Sequence, residues 1–226
     1  MKKQSNFVII ALGIFLSFAS FFSNASYISL SSVNRGWYNS EGESNGASGS
    51  SYANYIAGPL RGDDYSNWFA FDLSDISDNH LITSATLIIN TASTRTPGTY
   101  HTTNVTTDIS KLISGTGGLE AFNDLSGGIE YSSTIFSNTD NYIEYSISLN
   151  DIAVESLNQA LNSLTELWAV GGYYDAAGTA FIFSGSQSYR TTLLLDVTSV
   201  PEPGSISVFL CGLLLLGALR YRSEKD

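Results

Sequence analysis

Cysteine is nearly absent from this 226-residue sequence. The single Cys211 lies in an apolar stretch close to the C-terminus. A disulfide framework is excluded, and so is a thiolate nucleophile in the body of the chain. Histidine is equally scarce. His80 and His101 sit in the polar contexts Asp78-Asn79-His80 and Tyr100-His101-Thr102, so neither an H-E-x-x-H helix nor a Cys/His cluster can form, and each reads as a lone loop or strand-face residue. Charged residues make up 14%, against roughly 25% in an ordinary soluble protein, and Ser, Thr, Asn and Gly fill the gap. Positive charge is the rarer sign: 10 Lys plus Arg oppose 21 Asp plus Glu, net −11. Half of the basic residues (Lys2, Lys3, Arg220, Arg222 and Lys225) lie near the two ends, which leaves the middle more acidic still. Such a body repels phosphate backbones and anionic lipid, so nucleic acid is not expected as a partner. A G-x-S-x-G elbow is also missing, because Gly46-Ala47-Ser48-Gly49 and Ser184-Gly185-Ser186 lack the spacing. The carboxylates are spread thinly and mostly stand beside Gly, Asn or Ser, as solvated loop acids do. The chain is expected not to be an enzyme.

What is present begins at the two ends. The N-terminus reads MKKQSNFVIIALGIFLSFASFFSNAS. Lys2 and Lys3 form a positive region, residues 7–22 an apolar one, and Ser23-Asn24-Ala25 a small-residue cleavage site. This is a secretory signal peptide over 1–25, cut after Ala25. The C-terminus reads SVPEPGSISVFLCGLLLLGALRYRSEKD. Pro201, Pro203 and Gly204 break any structure arriving from the body. Residues 206–219 then form an apolar run that, as a helix at about 1.5 Å per residue, reaches roughly 21 Å, short of the ~30 Å hydrocarbon core. Arg220 and Arg222 follow at once, able to extend the reach by snorkelling and to hold that end in the cytoplasm. The tail therefore reads as a stop-transfer transmembrane helix with the body outside.

The order Val200-Pro201-Glu202-Pro203, short spacer, apolar segment, basic cluster and chain end resembles the PEP-CTERM sorting signal of Gram-negative bacteria. The resemblance covers 200–226 and implies recognition by exosortase, an integral membrane enzyme of cysteine-protease type. It makes Pro201, Glu202 and Pro203 the recognition residues, with Arg220 and Arg222 as the basic end. The sequence departs from the pattern in having Tyr221 inside the basic end and Glu224 and Asp226 after it. The resemblance further implies an exported protein of the cell envelope, outer surface or extracellular matrix, transiently anchored in the inner membrane, in a biofilm and exopolysaccharide context.

Between these ends, residues 26–199 form the ectodomain. Strand chemistry recurs at 27–33, 67–73, 81–91, 100–107, 129–136, 142–149, 166–173, 180–184 and 191–197, separated by Gly, Asn, Asp and Ser clusters. Asn150 or Asp151 caps one helix, DIAVESLNQALNSL, with Ala153, Leu157, Ala160, Leu161 and Leu164 on one face. A shorter turn is expected over 119–125, after the glycine-rich 114–118. The predicted fold is mainly β: an antiparallel β-sandwich, jelly-roll-like, with one short helix on a connection. The stretches NWFAFDLSDIS, LITSATLIIN, ISGTGGLEAFNDLSGG and LWAVGG also resemble ectodomains that precede PEP-CTERM tails and carbohydrate-associated jelly-roll modules.

Two kinds of site residue stand out in the body. Trp37, Tyr38, Tyr55 and Trp68 are candidates for stacking on sugars if they share a solvent face, which makes a carbohydrate-binding module the alternative to a purely structural surface protein. Asp63, Asp64, Asp75 and Asp78 offer hard oxygen ligands near loops to a structural Ca2+, although the loop glycine and terminal Glu of an EF-hand are missing and no cofactor is otherwise expected. Asp72, inside NWFAFDLS, is expected to accept backbone N–H groups of the turn after it.

Overall fold

Alternation of apolar and polar side chains dominates the secondary structure. The structure, a computed structural model, describes residues 25–45, 54–94, 96–137, 142–163, 166–177, 181–184, 190–200 and 212–213. Contacts divide the chain into a compact body, residues 27–197, and the residues that flank it. In chain order the elements are β1 (Ala25–Ser31), β2 (Asn34–Asn39), β3 (Tyr55–Leu60), β4 (Asp63–Asp72), β5 (His80–Thr91), β6 (Ser93–Thr94), β7 (Gly98–Asn104), α1 (Ile109–Ser114), α2 (Gly118–Gly127), β8 (Glu130–Phe136), β9 (Ile143–Ser148), α3 (Asp151–Leu161), β10 (Leu167–Asp175), β11 (Ile182–Ser184) and β12 (Thr192–Ser199). The fold is a mainly β sandwich, as the sequence predicts.

Two sheets build it. The small one has the order β1-β12-β5-β9, and the large one β6-β11-β3-β4-β10-β7-β8, with β2 also paired to β4. The registers of β2, β3 and β10 on β4, of β7 on β10, of β8 on β7 and of β9 on β5 are all antiparallel. Side chains at every second position face inward from both sheets and meet in one core. Leu87, Ile89, Leu193, Leu195 and Ile147 come from the small sheet; Phe69, Phe71, Tyr100, Trp168 and Val170 come from the large one. Burying each such side chain contributes about 1.5–3 kcal/mol. Arg35 is sealed on this inner face too, its guanidinium 5.2 Å from the centre of the Tyr55 ring, and burial lowers its pKa.

The helices cover what the sheets leave open. The Asn150 side chain accepts from Ala153 N at 3.1 Å and starts α3, whose Ala153, Leu157 and Leu161, at intervals of four, join the main core. Asn158 stitches α3 to β5 by accepting from Ile82 N and donating to Ile82 O, both at 2.9 Å. The predicted turn at 119–125 is a longer helix, α2, and α1 was not anticipated. Asp108 caps α1 by accepting from Ser110 N at 2.8 Å, and Gly115 ends it in the left-handed conformation at φ 72°. Together α1 and α2 pack Leu112, Ala121 and Leu125 over Tyr38, Trp68, Ala70 and Ala169, a second cluster on the outer face of the large sheet.

The predicted strand over 100–107 ends earlier, at Asn104. A register shift interrupts the β7–β8 ladder at Thr102/Thr103, and the N–H groups of Thr106 and Thr107 donate to the Asp124 carboxylate instead. Asp72 behaves as expected: it accepts from Ser74 N at 2.9 Å, and this bond holds its carboxyl below the ordinary range. Residues 1–24 and nearly all of the C-terminal tail lie outside the described residues, among which no helix is long and apolar enough to cross a membrane.

Candidate functional site

The sites predicted at the termini are for the most part out of reach. Pro201, Glu202, Pro203, Arg220 and Arg222 lie outside the described residues, and Ala25 opens β1. The aromatic quartet is placed, and it does not form a strip. Trp37 and Tyr38 are successive in β2 and therefore point to opposite faces. Tyr38 and Trp68 are buried beneath α1 and α2, where the Tyr38 hydroxyl donates to Lys111 O at 2.9 Å and accepts from Gly117 N at 3.1 Å. Tyr55 is buried in the main core, edge-on to Phe69 at 4.9 Å, with its hydroxyl on Asn90 O. Trp37 alone keeps partial exposure, edge-on to Tyr65 at 5.0 Å. Burial thus removes Tyr38, Tyr55 and Trp68 as stacking platforms.

The calcium candidates are split as well. Asp63 and Asp64 stand at the start of β4, whereas Asp75 and Asp78 come after its end. The rest of β4, on the order of 25 Å of strand, separates the two pairs, so the four cannot share one ion. Among the described residues no group of three His, Cys, Asp or Glu is placed to hold a metal.

A different site emerges from the way β4 is paired. Along one edge β4 runs with β2, from Asn34↔Ala70 to Asn39↔Tyr65, and Ser40 N continues this edge by donating to Asp64 O at 2.8 Å. Its other edge changes partner. It pairs with β10 from Asp72 to Ser66, the last pair being Tyr173↔Ser66, and then with β3 from Tyr65 to Asp63. Beyond Tyr173, β10 stays with β7 through Tyr174↔Tyr100 and Asp175↔Thr99. The β3–β4 hairpin turns on Arg61 and Gly62, both at positive φ (59° and 103°), the geometry of a two-residue loop that matches strand twist.

Where β10 hands over to β3, a groove of about 340 Å³ opens, within the usual size of ligand clefts. Its floor is the Ser66–Tyr173 pair, and Pro59 borders it on the hairpin side. Phe122 and Ser126, four apart on α2, form a wall, while Ala121 and Leu125 on the same helix are buried against the sheet. Asp64 and Asp175 add carboxylates, and no Lys or Arg is among the described lining residues.

The electrostatics of this groove are negative. The Tyr173 phenol is pushed above its ordinary pKa first by burial, then by the charges of Glu130 and Asp175. One face of the Tyr173 ring stacks on His101 at 4.6 Å, nearly parallel, and His101 Nδ1 lies 2.6 Å from Glu130 Oε2. Tyr173 and Phe122 are each half-buried, whereas Tyr65, next to Ser66 in β4, turns its ring to the opposite face against Trp37. Ser66 is buried, and its hydroxyl has no hydrogen-bond partner among the described residues. A buried polar group normally finds one, so an unpaired hydroxyl on a groove floor is a ready acceptor and donor for a ligand.

No family model matches this sequence, and no curated protein matches it either. A chain in the cryo-EM structure of mud crab tombus-like virus is similar over 83% of this chain and 87% of its own length, at 9% identity and a TM-score of 0.29. A likeness that low says nothing about function.

Sequence reasoning missed Ser66, Tyr173 and Phe122. LWAVGGYYD reads as a strand, but nothing in it tells which of Tyr173 and Tyr174 faces a groove. That depends on where β10 leaves β4.

Proposed function

We propose that this chain is an exported, non-catalytic protein of the bacterial cell surface or extracellular matrix, sorted by exosortase through Pro201-Glu202-Pro203, with a body of jelly-roll type. The observation that carries the sorting reading is the order of three features at the C-terminus: the Pro-Glu-Pro tripeptide, the apolar run and Arg220 with Arg222. The signal-like N-terminus ending at Ala25 supports export, and the absence of cysteine before residue 211 suits a body that holds together through its core alone. The jelly-roll reading is supported by strand nesting. With β1, β4, β5, β7, β8, β9, β10 and β12 taken in order, the first pairs with the last, the second with the seventh, the third with the sixth and the fourth with the fifth, alternately in the small and the large sheet. That nesting is what rolling one long hairpin into two sheets produces.

The test is replacement of Pro201, Glu202 and Pro203 by alanine in a host that contains exosortase, read by fractionation and intact mass. The expected result is an unprocessed species held in the inner membrane through the C-terminal helix. Unchanged mass and location in the variant would overturn the sorting proposal.

The groove favours a second reading, in which the body is a carbohydrate-binding module of the cell surface that meets exopolysaccharide. Half-exposed rings beside hydroxyl and carboxylate groups are the usual equipment for sugar recognition. Binding of the purified protein to a glycan array tests it; a blank array counts against it.

A further inference from the structure

The groove's chemistry restricts its ligand beyond the carbohydrate-binding reading on which this step rests. Half-buried Tyr173 and Phe122 present apolar ring surface of the kind that packs on the C–H faces of a pyranose. The unpartnered Ser66 hydroxyl offers one donor and acceptor capacity at the floor. Asp64 and Asp175 are acceptors only, able to take paired hydroxyl donors from adjacent ring positions or the three donors of an ammonium group. No cationic side chain among the described lining residues can receive a carboxylate, sulfate or phosphate. Glu130 and Asp175 both act on Tyr173, and the whole chain carries net −11, so an anionic ligand is repelled locally and at long range.

We infer that the groove between β3, β10 and α2 binds a saccharide chain free of acidic groups, and that free amino groups on the sugar strengthen the contact. Stacking and Ser66 act on any neutral pyranose. Asp64 and Asp175 add a charge-dependent part that only amino sugars use.

The experiment uses the full-length chain in mild detergent and calorimetric titration with three probes: glucosamine hexamer, cellohexaose and galacturonate hexamer. Glucosamine hexamer is expected to bind about fivefold tighter than cellohexaose at low salt, an advantage that fades at high ionic strength, and galacturonate hexamer is expected to give no heat. Ser66→Ala removes a hydroxyl that has no partner among the described residues. It should leave the melting temperature unchanged or raised while weakening both sugars roughly three- to tenfold. Ser126→Trp, which fills the groove from α2, should abolish binding without lowering the melting temperature. Galacturonate binding as tightly as glucosamine hexamer overturns the charge assignment. Sugar binding untouched by both variants overturns the groove but leaves the carbohydrate reading standing. No binding of any of the three probes overturns both.

Discussion

The two faces of the large sheet use the same kinds of side chain to different ends. On the inner face Phe69, Phe71, Tyr100 and Trp168 are sealed against the small sheet. Even the polar groups there are enclosed: the Tyr100 hydroxyl donates to Asn67 Oδ1 at 2.7 Å, and burial pushes its pKa far up. That bond crosses β10 at Gly172, where a Cβ would come within 2.1 Å of the Tyr100 hydroxyl oxygen. On the outer face the cover is partial. Tyr38 and Trp68 lie under α1 and α2, but the helices stop short of the β3–β10 junction, and Tyr173 and Phe122 remain half-exposed around the groove. An aromatic ring in this sheet therefore supports the fold or offers a surface according to the layer that lies over it. Residue type alone does not decide between the two.

The contrast can be broken most directly by alanine truncation on each face. Phe69→Ala, fully buried, is expected to cost about 3–5 kcal/mol in urea unfolding, whereas Phe122→Ala, half-buried on α2, is expected to cost roughly 1 kcal/mol. Equal losses would erase the distinction between the faces. A smaller effect probes the enclosed polar pair. Gly172→Ala should cost about 1–3 kcal/mol by overpacking, and the cost should shrink in a Tyr100→Ala background, because the colliding ring is then gone. Strict additivity of the two changes would show that Gly172 is not there to admit Tyr100.

On the outer face, Tyr38→Phe removes the hydroxyl that joins β2 to Lys111 O and Gly117 N. A loss of about 1 kcal/mol is expected from denaturant midpoints. The smallest effect is electrostatic and shows in pH dependence. Burial opposes the charge on Asp124, but hydrogen bonds from Thr106 and Thr107 outweigh it and hold the carboxyl below the ordinary range. Its stabilisation is present above the unfolded carboxylate value of about 3.9 and is lost as pH falls through the lower folded value. The melting-temperature deficit of Asp124→Asn should therefore be visible at neutral pH and close in strong acid. A deficit independent of pH would assign the effect to shape rather than charge.

Much of the fold is legible along the chain, and its gaps have physical causes. The long β-branched run of β5 and the alternation of β12 announce themselves, as does α3, whose cap and four-residue spacing stand together in the sequence. β3 escapes because YIAGPL contains Gly58 and Pro59, residues that argue against a strand interior. Pro59 is accommodated because the ladder on β4 is only three pairs long. β2 starts three residues after β1 ends and moves to the other sheet, a change that no local pattern marks. Six-residue α1 is too short for periodicity to register.

Of the site, Asp72 was readable, since its partner lies two residues away. The groove was not, since Ser66 and Tyr173 are over a hundred positions apart and meet only through a strand register. The amino-acid order by itself determined the acidic body, the apolar runs near the two ends, the β-rich character of the body and the α3 helix, because each depends on composition or on neighbours within a few residues. Which aromatic rings are sealed and which remain open was decided only by the tertiary structure, because covering a face requires a second layer brought from elsewhere in the chain.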